Sequence, residues 1–167
     1  LIMIIILVYI VMASQFESFM SPFVIMFSIP FAFVGVLLGL WVTGTPLGAM
    51  GMIGILILMG IVVKNGIVLI DYTILMRERG KSVAEASVIA AKSRLRPILM
   101  TTLTTVLGMV PMAVGQGEGS EMWRSLGMVV AWGLSISTLV TLVIIPTVYA
   151  SMASWQERRA ARKAAKA

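Results

Sequence analysis

The stretch LGAMGMIGILILMGIVVKNGIVLIDYTILM, residues 47–76, decides the fold. Seventeen residues without a formal charge precede Lys64, and six more separate it from Asp71. Wound as a helix at about 1.5 Å per residue, the stretch puts Lys64 roughly 25 Å from one end and roughly 18 Å from the other. That is near the middle of a hydrocarbon core about 30 Å thick. A lysine stem hardly reaches water from there, and a central Lys costs roughly 2.5–3.5 kcal/mol on translocon scales. Such a residue is expected to face a bundle interior or a cavity and to have a partner.

The rest of the chain has the same character. Hydrophobic residues make up 59% and charged residues 12%, and the mean hydropathy is +1.03, far outside the range of a soluble domain. The expected fold is all-α, a polytopic membrane bundle of about five transmembrane helices plus a short cytoplasmic surface helix. With neither Cys nor His, disulfides, thiolate chemistry, imidazole metal sites and triads with a His base are excluded. Neither an enzyme nor a cofactor or metal site is expected. A methionine ladder for soft metals is conceivable, but the fourteen Met residues read more simply as packing or lipid-facing side chains. The net charge of +6 is not read as a nucleic-acid surface, because the basic residues crowd at the ends of apolar runs.

Five apolar spans can be marked by length and breakers: residues 1–13, 22–42, 47–76, 97–114 and 123–152. The first is too short to cross a membrane and lacks a basic leader, so the expectation is a chain that begins partway through a helix of a longer protein. The membrane unit covers residues 1–154, and 155–167 form a basic tail. In the basic connector, Ser82 and Glu85 have the spacing of a capping box. Val83, Ala86, Ile89 and Ala90 place an apolar stripe beyond it, predicting a surface helix over 82–94; a plain exposed linker is the alternative. Arg77, Arg79, Lys81, Lys92, Arg94 and Arg96 share one connector, and Arg158, Arg159, Arg162, Lys163 and Lys166 the tail. Two spans separate these clusters, so both lie on one side, which the positive-inside rule makes the cytoplasm. Tyr149 and Trp155 fit the interfacial belt there, Trp41 and Trp123 the opposite one.

Lys64 and Asp71 are two turns apart on nearly one face, with Asn65 beside it. They suit either a mutual pair, which needs both side chains to stretch, or an Asp71 hydrated at the cytoplasmic end. Farther along, Pro97 suits a first helical turn. Arg94 and Thr101 share a face, and Thr101, Thr104, Thr105 and Gly108 follow the i, i+3, i+4, i+7 rule. That small hydroxylated stripe has two readings: close helix packing, or a path on which hydroxyls and water bridge protons near the lysine. Gly35 with Gly39, and Gly51 with Gly54, read as helix contacts. Pro30, Pro111 and Pro146 read as kinks.

Three ordered motifs resemble one known family. Gly60-Ile61-Val62-Val63-Lys64-Asn65-Gly66-Ile67-Val68-Leu69-Ile70-Asp71-Tyr72, Ser93-Arg94-Leu95-Arg96-Pro97-Ile98-Leu99-Met100-Thr101-Thr102 and Gly108-Met109-Val110-Pro111-Met112 look like the C-terminal membrane portion of resistance-nodulation-division (RND) efflux permeases, helices 8 to 12, of the multidrug type. The resemblance implies a proton antiporter of the bacterial inner membrane with a cytoplasmic C-terminus. A homotrimer, a periplasmic adaptor and an outer-membrane channel are its implied partners. It assigns Lys64, Arg94 and Thr101 to a proton relay, with Asn65, Asp71, Thr102 and Thr105 as possible neighbours. The family's fourth-helix carboxylates and periplasmic domains have no counterpart among these residues, so the chain is not expected to pump alone. The rival readings are a structural membrane module in which Lys64 fixes helix register, and a lipid- or protein-export relative on the same scaffold.

Overall fold

The structure is a computed structural model that describes residues 2–16, 20–117 and 119–164. Leu1, Glu17, Glu118 and Lys166 lie outside the described residues. Among the described residues six helices follow one another: α1 (Ile2–Phe16), α2 (Met20–Met26), α3 (Ile29–Thr43), α4 (Ala49–Glu78), α5 (Val83–Val114) and α6 (Ser120–Ala164). No strand occurs among the described residues, and the chain is an all-α, polytopic membrane bundle. Among the described residues, four stretches are long and apolar enough to cross a bilayer: Ser21–Thr43, Ala49–Glu78, Val83–Val114 and Ser120–Trp155.

The first of these is α2 and α3 joined through a break. Pro30, in the first turn of α3, has no N–H to give the carbonyl four residues back, so the helix is interrupted one turn earlier. At the break Ser28 donates both its backbone N–H, at 3.0 Å, and its hydroxyl, at 2.6 Å, to the Ile25 carbonyl. At the other end of α3, Gly44 turns left-handed at φ 63° and its N–H returns to the Leu40 carbonyl. Only a residue without a Cβ enters that conformation at no cost. The following turn is pinned from a distance, since the Ser125 hydroxyl on α6 donates to the Pro46 carbonyl at 3.1 Å and accepts from the Gly48 N–H at 3.4 Å.

The capping box is formed: the Glu85 N–H donates to Ser82 Oγ at 3.3 Å, and the Ser82 N–H donates to Glu85 Oε2 at 3.4 Å. The helix it starts does not stop before Pro97. Residues 82–94 and 97–114, separate in the sequence reading, lie on one helix of 32 residues with Pro97 and Pro111 inside it. Pro97 therefore stands in the interior of α5, not in a first turn. The physical reason is α6, which runs unbroken for 45 residues through Pro146 and gives α5 a continuous packing track. Residues Ala84 to Lys92 face Leu142 to Ser151, and Thr102 meets Thr138. Span 123–152 and the first part of the basic tail are likewise one helix.

The centre of the bundle is α6, which packs on α5, α4 and α3. Val129, Leu134 and Ile145 on α6 are buried with Leu58, Val62 and Leu69 on α4 and Val36 on α3. Glycine lets the backbones approach. A Cβ on Gly35 would lie 3.2 Å from the Gly133 Cα, and one on Gly39 would collide with Trp132. Gly51 stands against Ser125 and Gly54 against Val129, so both small-residue pairs are helix contacts.

Candidate functional site

On α4 the buried positions Val62, Gly66, Leu69 and Thr73 form the stripe that faces the core at spacings of three and four. Lys64 is two residues from Val62 and so points to the opposite side. It is exposed, on the face of the α4–α5 pair that this chain leaves uncovered, and not in the packed interior that its cost in lipid suggests. Around it lies an open groove of about 340 Å³ lined by Ile61, Lys64, Asn65, Val68, Pro97, Ile98, Thr101 and Thr105. Helices α4 and α5 are antiparallel neighbours here, which brings Lys64 level with Thr101. Two residues that are 37 positions apart in sequence thus share one cavity.

The groove hydroxyls have their protons engaged. Thr101 donates to the carbonyls of Pro97 at 3.1 Å and Ile98 at 3.0 Å. Thr105 donates to the Thr101 carbonyl at 2.8 Å. A hydroxyl bonded back to its own helix keeps its oxygen lone pairs, so this wall presents acceptors to an ammonium group or a water. Lys64 supplies three donors and a charge. Among the described residues it forms no ion pair, and the pairing of Lys64 with Asp71 is not made; Asp71 is exposed two turns farther along α4.

The structure divides the remaining candidates. Asn65 lines the groove beside Lys64. Thr102, one residue from Thr101, faces α6 and shares a buried hydrogen bond with the Thr138 hydroxyl at 3.1 Å. Arg94 lies two turns before Thr101 on the same face and does not line the groove. Its guanidinium carbon sits 4.7 Å from the centre of the Tyr72 ring, and its Nε is buried with no hydrogen-bond partner. At the same end of the bundle, Arg77 Nη1 donates to the Tyr149 hydroxyl at 3.4 Å, tying α4 to α6. Tyr72 and Thr138 are polar partners that the sequence reading does not find, because each is defined by a residue on another helix. No group of three or more Asp or Glu side chains that could hold a metal occurs among the described residues.

Comparison with known proteins follows the same lines. The family model for the AcrB/AcrD/AcrF family matches residues 1–153. The swarming motility protein SwrC of Bacillus subtilis (strain 168) is 44% identical over 154 residues, covering 92% of this chain and 15% of its own. The multidrug resistance protein MdtC of Proteus mirabilis (strain HI4320) is 39% identical over 168 residues, covering 98% of this chain and 16% of its own. A crystal structure of a heavy metal efflux pump superposes with a TM-score of 0.82 at 32% identity, over 91% of this chain and 15% of the pump. A second crystal form gives 0.73 at 33% identity, over 89% and 14%. The chain thus spans about 15% of the length of the curated relatives it matches. A match along nearly the whole chain, with the bundle superposing on that of an efflux pump, leads to one conclusion: this chain belongs to the AcrB/AcrD/AcrF family of RND permeases.

Proposed function

We propose that the chain forms part of a proton-driven efflux permease and supplies the cationic side of its proton relay. The observation that carries the reading is the groove itself, in which Lys64, mid-helix and without a described acidic partner, faces the acceptor wall of Thr101 and Thr105. A lysine in lipid needs a counter-charge. In this reading a carboxylate elsewhere in the permease enters the groove, and the ammonium holds it ionised until a proton arrives. Protonation then removes the attraction and releases Lys64, which is a change of charge able to bias a conformational equilibrium. Thr101 orients the ammonium or a bridging water, and Arg94 sets the potential at the cytoplasmic mouth. The work is transport and not enzymatic conversion.

The reading carries a setting as well as a mechanism. In this reading the permease sits in the bacterial inner membrane, with the basic ends of α4, α5 and α6 in the cytoplasm as the positive-inside rule orients them. It assembles as a homotrimer with a periplasmic adaptor and an outer-membrane channel. The test is Lys64→Ala in the full-length permease, expressed in an efflux-deficient bacterial host that is challenged with dyes, detergents and divalent metals. Export should be abolished while the amount inserted in the membrane is unchanged, and wild-type resistance in that variant would sink the relay. Lys64→Met separates the structural rival, since a register pin loses thermal stability whereas a relay residue loses transport alone.

The cargo has two readings. The name of the MdtC relative favours amphiphilic drugs, and the likeness to a heavy metal efflux pump favours a metal ion. The compounds to which the wild-type permease confers resistance decide between them.

A further inference from the structure

We infer that Tyr72 is the positioning residue for Arg94, holding the guanidinium on its ring face at the cytoplasmic end of the Lys64 groove. The inference rests on the relay reading for its purpose and on the contact alone for its geometry. The guanidinium carbon lies 4.7 Å from the ring centre, inside the range of about 6 Å at which the ring quadrupole attracts a cation. Both side chains are half-buried, and Arg94 Nε is shielded without a hydrogen-bond partner. No carboxylate among the described residues pairs with Arg94, although Asp71 is next to Tyr72 in the chain. The ring is therefore what fixes the direction of the arginine, which two turns of α5 separate from Thr101.

The choice of an aromatic has a chemical consequence. A carboxylate at position 72 would form a bidentate bond and occupy the fork of N–H donors. A π face attracts the charge and leaves those donors unused. Arg94 is thus oriented but uncommitted, ready to accept an anionic or hydrated partner and to return to the ring afterwards. A long aliphatic side chain would fill the same space without selecting the orientation.

The experiment uses the full-length permease, the resistance assay described above, and any compound that the wild-type protein exports. Tyr72→Phe and Tyr72→Trp keep a ring and should retain at least half of the wild-type resistance. Tyr72→Leu should lose roughly tenfold, the usual strength of a partly desolvated cation–π contact. In an Arg94→Gln background, which removes the cation and keeps a planar amide donor, replacing Tyr72 by Leu should change residual export and thermal midpoint by much less than in the parent. An equal loss in both backgrounds, or wild-type export by Tyr72→Leu, overturns the inference. If Tyr72 and Arg94 prove coupled in stability but Lys64→Ala exports normally, the contact stands and the relay reading fails.

Discussion

Adjacent threonines on α5 have opposite employment. Thr101 turns its oxygen to the groove, and Thr102 buries its hydroxyl against Thr138. Removing them should separate function from stability. Thr101→Ala should lower export several-fold and leave the thermal midpoint nearly unchanged. Thr102→Val strands the Thr138 hydroxyl in the interior and should cost about 1 kcal/mol, visible in the denaturation of the detergent-solubilised permease with export retained. The double variant Thr102→Val with Thr138→Val should recover most of that loss, because two apolar groups of the same shape leave nothing unpaired. Lys64 was legible from sequence because a lone charge contrasts with everything near it. The separation of Thr101 from Thr102 was not, since neighbours on a helix differ by about 100° and only the packing partner says which direction is inward.

At the scale of the element, α5 records a contest between local and tertiary signals. The capping box is local: Ser82 and Glu85 satisfy each other's backbone N–H groups, and their spacing gave the helix start to the residue. Ser82→Ala should cost about 1 kcal/mol, measured as a lower midpoint with unchanged export. Pro97 sends an equally local signal for a boundary, yet the helix continues because α6 offers packing on both sides of it. Replacing it tests that view, since Pro97→Ala restores a donor to the helix interior. The variant should stabilise α5 by about 1 kcal/mol or more, read as a higher thermal midpoint, while the groove wall loses the proline ring that lines it. Apolar runs and their breakers mark candidate spans in the sequence; the continuity of α5 across a proline depends on a neighbour that no window of α5 contains.

Across the whole molecule, close approach of α3 to α6 at Gly35, Gly39 and Gly133 is what draws the bundle together. Gly39→Ala places a methyl group into the Trp132 side chain, and overpacking of this kind costs about 1–3 kcal/mol. The expected result is a lower melting temperature and loss of export without any change in the Lys64 groove, and an unchanged midpoint would show that Trp132 swings aside freely. Burial is also uneven. Half of the apolar window is buried in three of the spans, but only 17% of it in Val83–Val114, so α5 is the span with most surface left for lipid or for other parts of the permease.

The central place of α6 carries a consequence for biosynthesis. Helices α3, α4 and α5 all rest on it, yet it follows them in the order of translation. At about 5–20 residues per second, the ribosome needs roughly two to seven seconds to complete Ser120–Trp155. Throughout that interval the glycine-lined flank of α3 and the hydroxyl of Thr102 have no native neighbour. Nascent chains stalled before Ser120 should therefore be inserted but loosely associated, open to membrane proteases or held by an insertase, and should become resistant only once α6 has entered the bilayer.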